Sequence, residues 1–94
     1  MRVRWLRKAL RDLDDEAAYI AADDRVAASL VVQRVIAAVD MLAEQPGLGR
    51  PGRVPGTREL VVMKTRYIVP YRVSADSVEV LRVFHTSRRL PGRW

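Results

Sequence analysis

The stretch Arg58–Thr86, "RELVVMKTRYIVPYRVSADSVEVLRVFHT", decides how this chain folds. It contains three runs rich in β-branched and aromatic residues: "RELVVM" (Arg58–Met63), "RYIVPYRV" (Arg66–Val73) and "SVEVLRVFHT" (Ser77–Thr86). The short turns "KT" and "SAD" part them. Such residues suit the pleated surface of a sheet, and turns that short join antiparallel neighbours. Pro70 stands inside the second run and cannot donate to a ladder, so a bulge or a locally unpaired edge is expected there. On the third run Val78, Val80, Arg82 and Phe84 share one face, and Glu79, Leu81, Val83 and His85 the other. Both faces are largely apolar, so period alone does not say which is inward.

Upstream lies "PGLGRPGRVPGTR" (Pro46–Arg58), which holds three of the five prolines and four of the five glycines. It is neither helix nor central strand, and it carries Arg50, Arg53 and Arg58 onto whichever surface it covers. Before it the apolar period is helical. Leu10, Leu13, Ala17, Ile20 and Ala21 predict a helix from Arg7 to about Ala22, with Asp12, Asp15, Glu16 and Asp23 outward. Asp23 and Asp24 stop it and cap a second helix, from about Arg25 to Glu44, ended by "EQPG". Its stripe is Val32, Val35, Ile36, Val39, Leu42 and Ala43. So short a turn makes the two helices an antiparallel hairpin. Arg2–Trp5 alternates as a strand does, with Val3 and Trp5 on one face.

The expected fold class is therefore α+β. The order is β-α-α-β-β-β in a single domain over residues 1–94, with the helical hairpin packed on one face of a small, curled, mainly antiparallel sheet and the other face left open.

Charge is uneven along the chain. Met1–Gly49 has seven basic and eight acidic residues; Arg50–Trp94 has ten basic residues against Glu59, Asp76 and Glu79. A basic half of this kind suits phosphates or an acidic protein. Arginine supplies fifteen of the seventeen cations, a choice that suits bidentate pairing and equally reflects a GC-rich genome. The absence of cysteine removes disulfides, thiol nucleophiles and cysteine-ligated zinc, and with one histidine no metal or other cofactor is expected. Ser29, Gln33, Arg34 and Asp40 interrupt the most apolar segment, Val26–Ala43, and no export signal is evident, so no membrane association and a cytoplasmic address are expected. Asp12, Asp14, Asp15 and Glu16 fan around a helix and are expected to form a solvated face.

The order of elements, together with "PGLGRPGRVPGTREL", "YIVPYRV" and "VLRVFHTSR" at their mutual spacing, resembles the RelE/ParE superfamily of toxins from bacterial type II toxin-antitoxin modules. The likeness covers nearly the whole chain. It implies a toxin that arrests growth, as plasmid-stabilisation modules do, and that is neutralised by a co-expressed ParD-like or RelB-like antitoxin. ParE-like members resemble inhibitors of DNA gyrase that stall the enzyme on cleaved DNA. RelE-like members resemble ribosome-dependent endonucleases that cut messenger RNA. In the latter pattern cations stand where this chain has Leu60 and Ile68, so the resemblance favours a ParE-like gyrase inhibitor.

On that reading Arg50, Arg53, Arg58, Arg88, Arg89, Arg93 and Trp94 meet the target, and Tyr67, Tyr71, Arg72 and Arg82 meet the antitoxin. On the RelE-like alternative Glu59 or His85 serves as base or acid, and Arg58, Lys64 and Arg88 surround the phosphate. A second alternative is an inactive toxin that only binds its antitoxin. His85, at a strand end, is equally read as a hydrogen-bonded structural residue.

Overall fold

The computed structural model describes residues 1–88 and 90–94. A strand, β1 (Arg2–Trp5), leads into helices α1 (Arg7–Ala21) and α2 (Arg25–Asp40), and a 3-10 turn (Met41–Ala43) ends the second helix. Five strands follow: β2 (Arg50–Pro51), β3 (Arg58–Val61), β4 (Tyr67–Val73), β5 (Ser77–Val80) and β6 (Phe84–His85). They form one open sheet in the order β1-β5-β4-β3-β2, with β6 also on β4. The β1–β5 pair is parallel and the others antiparallel. The expected α+β class, helical hairpin and mainly antiparallel sheet are all present.

The Asp24 carboxylate accepts the Ala27 N–H at 3.0 Å and so caps α2, as its position between two helices requires. Ala9 and Leu13 of α1, with Val35, Val39 and Leu42 of the α2 arm, pack on Leu60, Tyr67, Val69, Tyr71, Val78 and Val80 of the sheet. On α1 the inward row keeps Leu13 and Ile20 of the expected one but turns toward Ala9 and Glu16. Ala9, Leu13 and Glu16 are buried, while Leu10 is exposed. Small Ala9 allows close approach to the sheet, and Glu16 has partners there.

The Pro70 objection resolves as a bulge. The register runs Tyr71↔Val80 on β5 and Ile68↔Phe84 on β6, so four steps on one chain face three on the other. The Pro70 carbonyl accepts from both Leu81 N–H (2.9 Å) and Arg82 N–H (3.5 Å). Its missing donor would point the same way, and the extra residue takes up the gap. The third run is thus two strands, and the alternation expected through it is shifted. Val78, Val80, Val83 and His85 turn toward the helices, and Leu81 and Phe84 away from them.

The face opposite the helices is not open, contrary to the expectation. Ile68 is 2% and Leu81 7% exposed, and Pro70 is fully buried. The Pro46–Arg58 loop and the C-terminal tail lie over them. Trp94 packs on Phe84 with ring centroids 5.3 Å apart, and its indole N–H donates to Thr57 Oγ1 at 3.3 Å.

The Arg25–Ala43 helical segment reaches the length and mean hydropathy (1.8) of a membrane span. Its buried row explains part of that hydropathy, and an exposed row the rest: Val26, Leu30, Ile36 and Met41 are all open.

Candidate functional site

The bulge places His85 on the helix side of the sheet. Its ring meets Tyr67 edge-on at 5.2 Å, and Tyr67 donates to Glu16 Oε1 of α1 at 2.9 Å. Ser87 N–H donates to His85 Nδ1 at 3.2 Å, which makes that nitrogen an acceptor and puts the proton of the neutral ring on Nε2. Arg88 pairs with Glu16 Oε2 and lies over Tyr19. Burial, with the Glu16 hydrogen bond and charge, pushes the Tyr67 hydroxyl up to about 12, so it remains a donor. Tyr19, Tyr67, His85, Ser87 and Arg88 border a cavity of about 360 Å3 that Arg66 also lines.

Glu59 lies on the other face. It is opposite Pro70 in the β3–β4 register, three residues from Tyr67, and successive strand residues alternate faces. Its 3%-exposed carboxylate accepts the Arg53 N–H at 2.9 Å and meets the Arg50 and Arg53 side chains at 3.4 Å. Burial opposes its charge, but the Arg53 amide and the two guanidinium groups outweigh that and hold the carboxyl below its usual range. Arg58 donates to the Gly49 carbonyl at 2.7 Å. The structure therefore does not bring Glu59, Arg58 and His85 together around one phosphate. Lys64 stands at the β3–β4 turn with φ 62°, exposed.

The loop is ordered by these bonds. Tyr71 Oη donates to the Pro46 carbonyl at 2.7 Å and accepts the Gly49 N–H at 2.8 Å. A Cβ on Gly49 would lie 2.7 Å from the Tyr71 ring and 2.9 Å from the Glu59 carbonyl, so the close approach requires glycine.

Tyr67 and Tyr71, expected at the antitoxin contact, are instead 4% and 0% exposed. Both face the helices, where their rings fill the core and only their hydroxyls reach polar partners. Arg82, expected at the same contact, forms a two-pronged pair with Asp12 at 2.7 and 3.0 Å, and the same carboxylate accepts the Val83 N–H freed by the bulge. Asp12 and Glu16, read from the sequence as solvated, are therefore the two α1 anchors of the C-terminal segment. The signal lay in the α1 row Ala9–Leu13–Glu16–Ile20, which carries an acid in an apolar stripe. Arg72 pairs with Glu79 at 2.8 Å and remains exposed.

Of the residues expected to meet the target, Arg50, Arg53 and Arg88 retain about half their side-chain exposure despite their acidic partners. Arg93 is exposed; Arg89 lies outside the described residues. Trp94 borders a cleft of about 550 Å3 with Leu6, Arg7, Lys8, Val54, Arg72 and Leu81. Arg7 and Lys8, near the start of the chain, were not among the expected residues and reach this surface only through the β1–β5 pairing.

A second, apolar groove of about 640 Å3 lies between α2 and β3, lined by Ala37, Ala38, Met41, Leu48, Leu60, Val61 and Met63 and rimmed by Arg34, Arg50 and Lys64. β2 covers only Arg58 and Glu59 of β3. Beyond them, Val61 has no strand neighbour on the groove side among the described residues.

A helical hairpin on an open mixed sheet, with a basic loop and tail on one face and an apolar groove beside an open strand edge, defines a small α+β domain. The family model described as "ParE toxin of type II toxin-antitoxin system, parDE" matches residues 3–90, and the chain belongs to that family, within the RelE/ParE superfamily. It is 53% identical to Putative toxin Y4kP of Sinorhizobium fredii over 90 residues, covering 96% of this chain and 93% of the relative. It is 36% identical to Toxin RelE2 of Caulobacter vibrioides, covering 92% and 96%. The solved chromosomal ParDE toxin-antitoxin system from P. aeruginosa contains a chain that superposes with a TM-score of 0.82 at 31% identity, covering 93% of this chain and 97% of that one. Membership implies an antitoxin partner.

Proposed function

We propose that this toxin acts in the cytoplasm as an inhibitor of DNA gyrase, meeting its target through the cleft around Trp94, Arg7, Lys8 and Arg72, with Arg53 and Arg93 extending the basic surface. The observation that carries this reading is the separation of Glu59 and His85. A ribonuclease that turns a 2′-hydroxyl on the adjacent phosphate needs a base and an acid on either side of one phosphorus. Here the two candidates project from opposite sides of a sheet, and the Glu59 charge is already neutralised by the loop it holds. A gyrase inhibitor needs a docking surface and no hydrolytic centre.

The antitoxin on this reading occupies the groove between α2 and β3. The groove offers apolar lining, the free backbone edge of Val61 and a rim of cations, which together suit an acidic amphipathic segment. A second copy of this chain would bring like charges together at Arg34, Arg50 and Lys64.

One observation favours the RelE-like alternative. His85, Ser87, Arg66 and Arg88 share the 360 Å3 cavity, a constellation that has a titratable ring beside cations.

The reading is tested in cells in which the toxin is induced without its antitoxin, by following labelled thymidine and methionine incorporation. Inhibition of gyrase stops DNA synthesis first and raises a DNA-damage response. Immediate arrest of protein synthesis with DNA synthesis continuing would contradict it.

A further inference from the structure

Two of the three methionines of this chain, Met41 and Met63, line the groove between α2 and β3. They are also unusually open, at 52% and 77% exposed. The Met63 backbone immediately precedes Lys64, whose positive φ turns the chain at the end of β3. The chain has no cysteine, so thioethers are its only readily oxidised sulfur. Exposure governs how fast a thioether reacts, and these two stand in the surface that a partner's apolar side chains would cover.

We propose that Met41 and Met63 are modification sites, whose conversion to methionine sulfoxide by hydrogen peroxide makes the groove polar and loosens the antitoxin's hold on the toxin. The inference rests on the reading that the groove seats the antitoxin. In the reaction a sulfur lone pair attacks one peroxide oxygen, an S–O bond forms and the O–O bond breaks. Sulfur is oxidised, the peroxide is reduced, and the departing hydroxide takes the proton of the transferred oxygen to leave as water. The product carries a strong hydrogen-bond acceptor where the groove was apolar. A partner that covers it must strip its water without supplying a donor, which weakens binding. Reductase repair of the sulfoxide makes the effect reversible.

The test uses the toxin purified free of its co-expressed antitoxin, treated with hydrogen peroxide, mapped by peptide mass spectrometry and titrated with untreated antitoxin. Sulfoxide at Met41 and Met63 with affinity reduced about tenfold or more, restored by methionine sulfoxide reductases, supports the proposal. The Met41→Leu/Met63→Leu variant keeps its affinity through the same treatment, with Met1 as the remaining methionine. Unchanged affinity with both residues oxidised, no oxidation at either, or an equal loss in the double variant overturns it. Met63→Glu, never oxidised, separates the two claims. If it binds as tightly as the parent, the groove reading fails and the proposal with it. If it binds weakly while the sulfoxide does not, the groove reading stands and only the oxidation proposal falls.

Discussion

Glu59 and His85 project from opposite faces of one sheet, Glu59 into the arginine loop and His85 against Tyr67 on the helix side. Neither can hand a proton to a group the other serves. Replacement of His85 by Gln is therefore expected to leave growth arrest intact when the toxin is induced alone, scored by colony formation. Loss of arrest in a variant that still melts like the parent would revive the ribonuclease reading.

Glu16 ties α1 to β4 through Tyr67 and to the C-terminal segment through Arg88. Glu16→Ala leaves the Tyr67 hydroxyl buried without an acceptor, which costs about 1–3 kcal/mol. Glu16→Gln keeps an acceptor for Tyr67 and costs less. Urea unfolding followed by circular dichroism orders the three proteins; equal midpoints for the parent and Glu16→Ala would refute the anchoring role.

Gly49→Ala drives a methyl group into the Tyr71 ring and the Glu59 carbonyl. A destabilisation of about 1–3 kcal/mol is expected, since both neighbours are held in the core or the ladder. Gly47→Ala, where an added Cβ meets nothing within 4 Å, is the control and is expected to be nearly neutral. The comparison is a pair of thermal melts.

Acid titration should release the loop. The folded Glu59 carboxyl lies below its unfolded value, so its contribution to stability is fully present above the ordinary glutamate pKa of about 4.3 and is lost as the pH falls through the lower folded value. Protection of the Arg53 amide, its exchange rate relative to the intrinsic rate at the same pH, is expected to fall over that acid window and to be low already at neutral pH in Glu59→Gln. Protection at Arg53 that does not respond to acid would contradict the assignment.

The fold was legible where a signal is local. Asp24 caps the helix it precedes, "EQPG" ends that helix, and the "KT" and "SAD" turns force antiparallel neighbours. What escaped were features that exist only between distant residues. The bulge that splits Ser77–Thr86 belongs to Pro70 as much as to Leu81 and Arg82, and no period within one strand encodes it. Glu16 sits in an apolar row, yet only Tyr67, 51 residues later in the chain, makes that row tolerable. Tyr67 and Tyr71, two residues apart on one strand, share a face, and the same pattern serves an interface and a core. The arginines of the loop look free in the sequence, and the structure shows Arg58 tied to loop carbonyls and Arg50 and Arg53 to Glu59.

Docking of the target at the basic cleft around Trp94, as proposed, predicts a separation of functions. Arg7→Glu/Lys8→Glu is expected to weaken gyrase inhibition about tenfold or more by reversing two charges at the docking surface. Antitoxin binding in the proposed groove between α2 and β3 should remain within about twofold. Loss of both together would place the two partners on one surface.

The most direct measurement is a paired assay of the purified toxin, free of antitoxin, against gyrase with relaxed and supercoiled plasmid and against translating ribosomes with a labelled messenger. This account expects lost supercoiling, trapped cleaved DNA and an intact messenger. Codon-positioned cuts in the messenger with gyrase unaffected would contradict it and would make His85, Arg66 and Arg88 the residues to test.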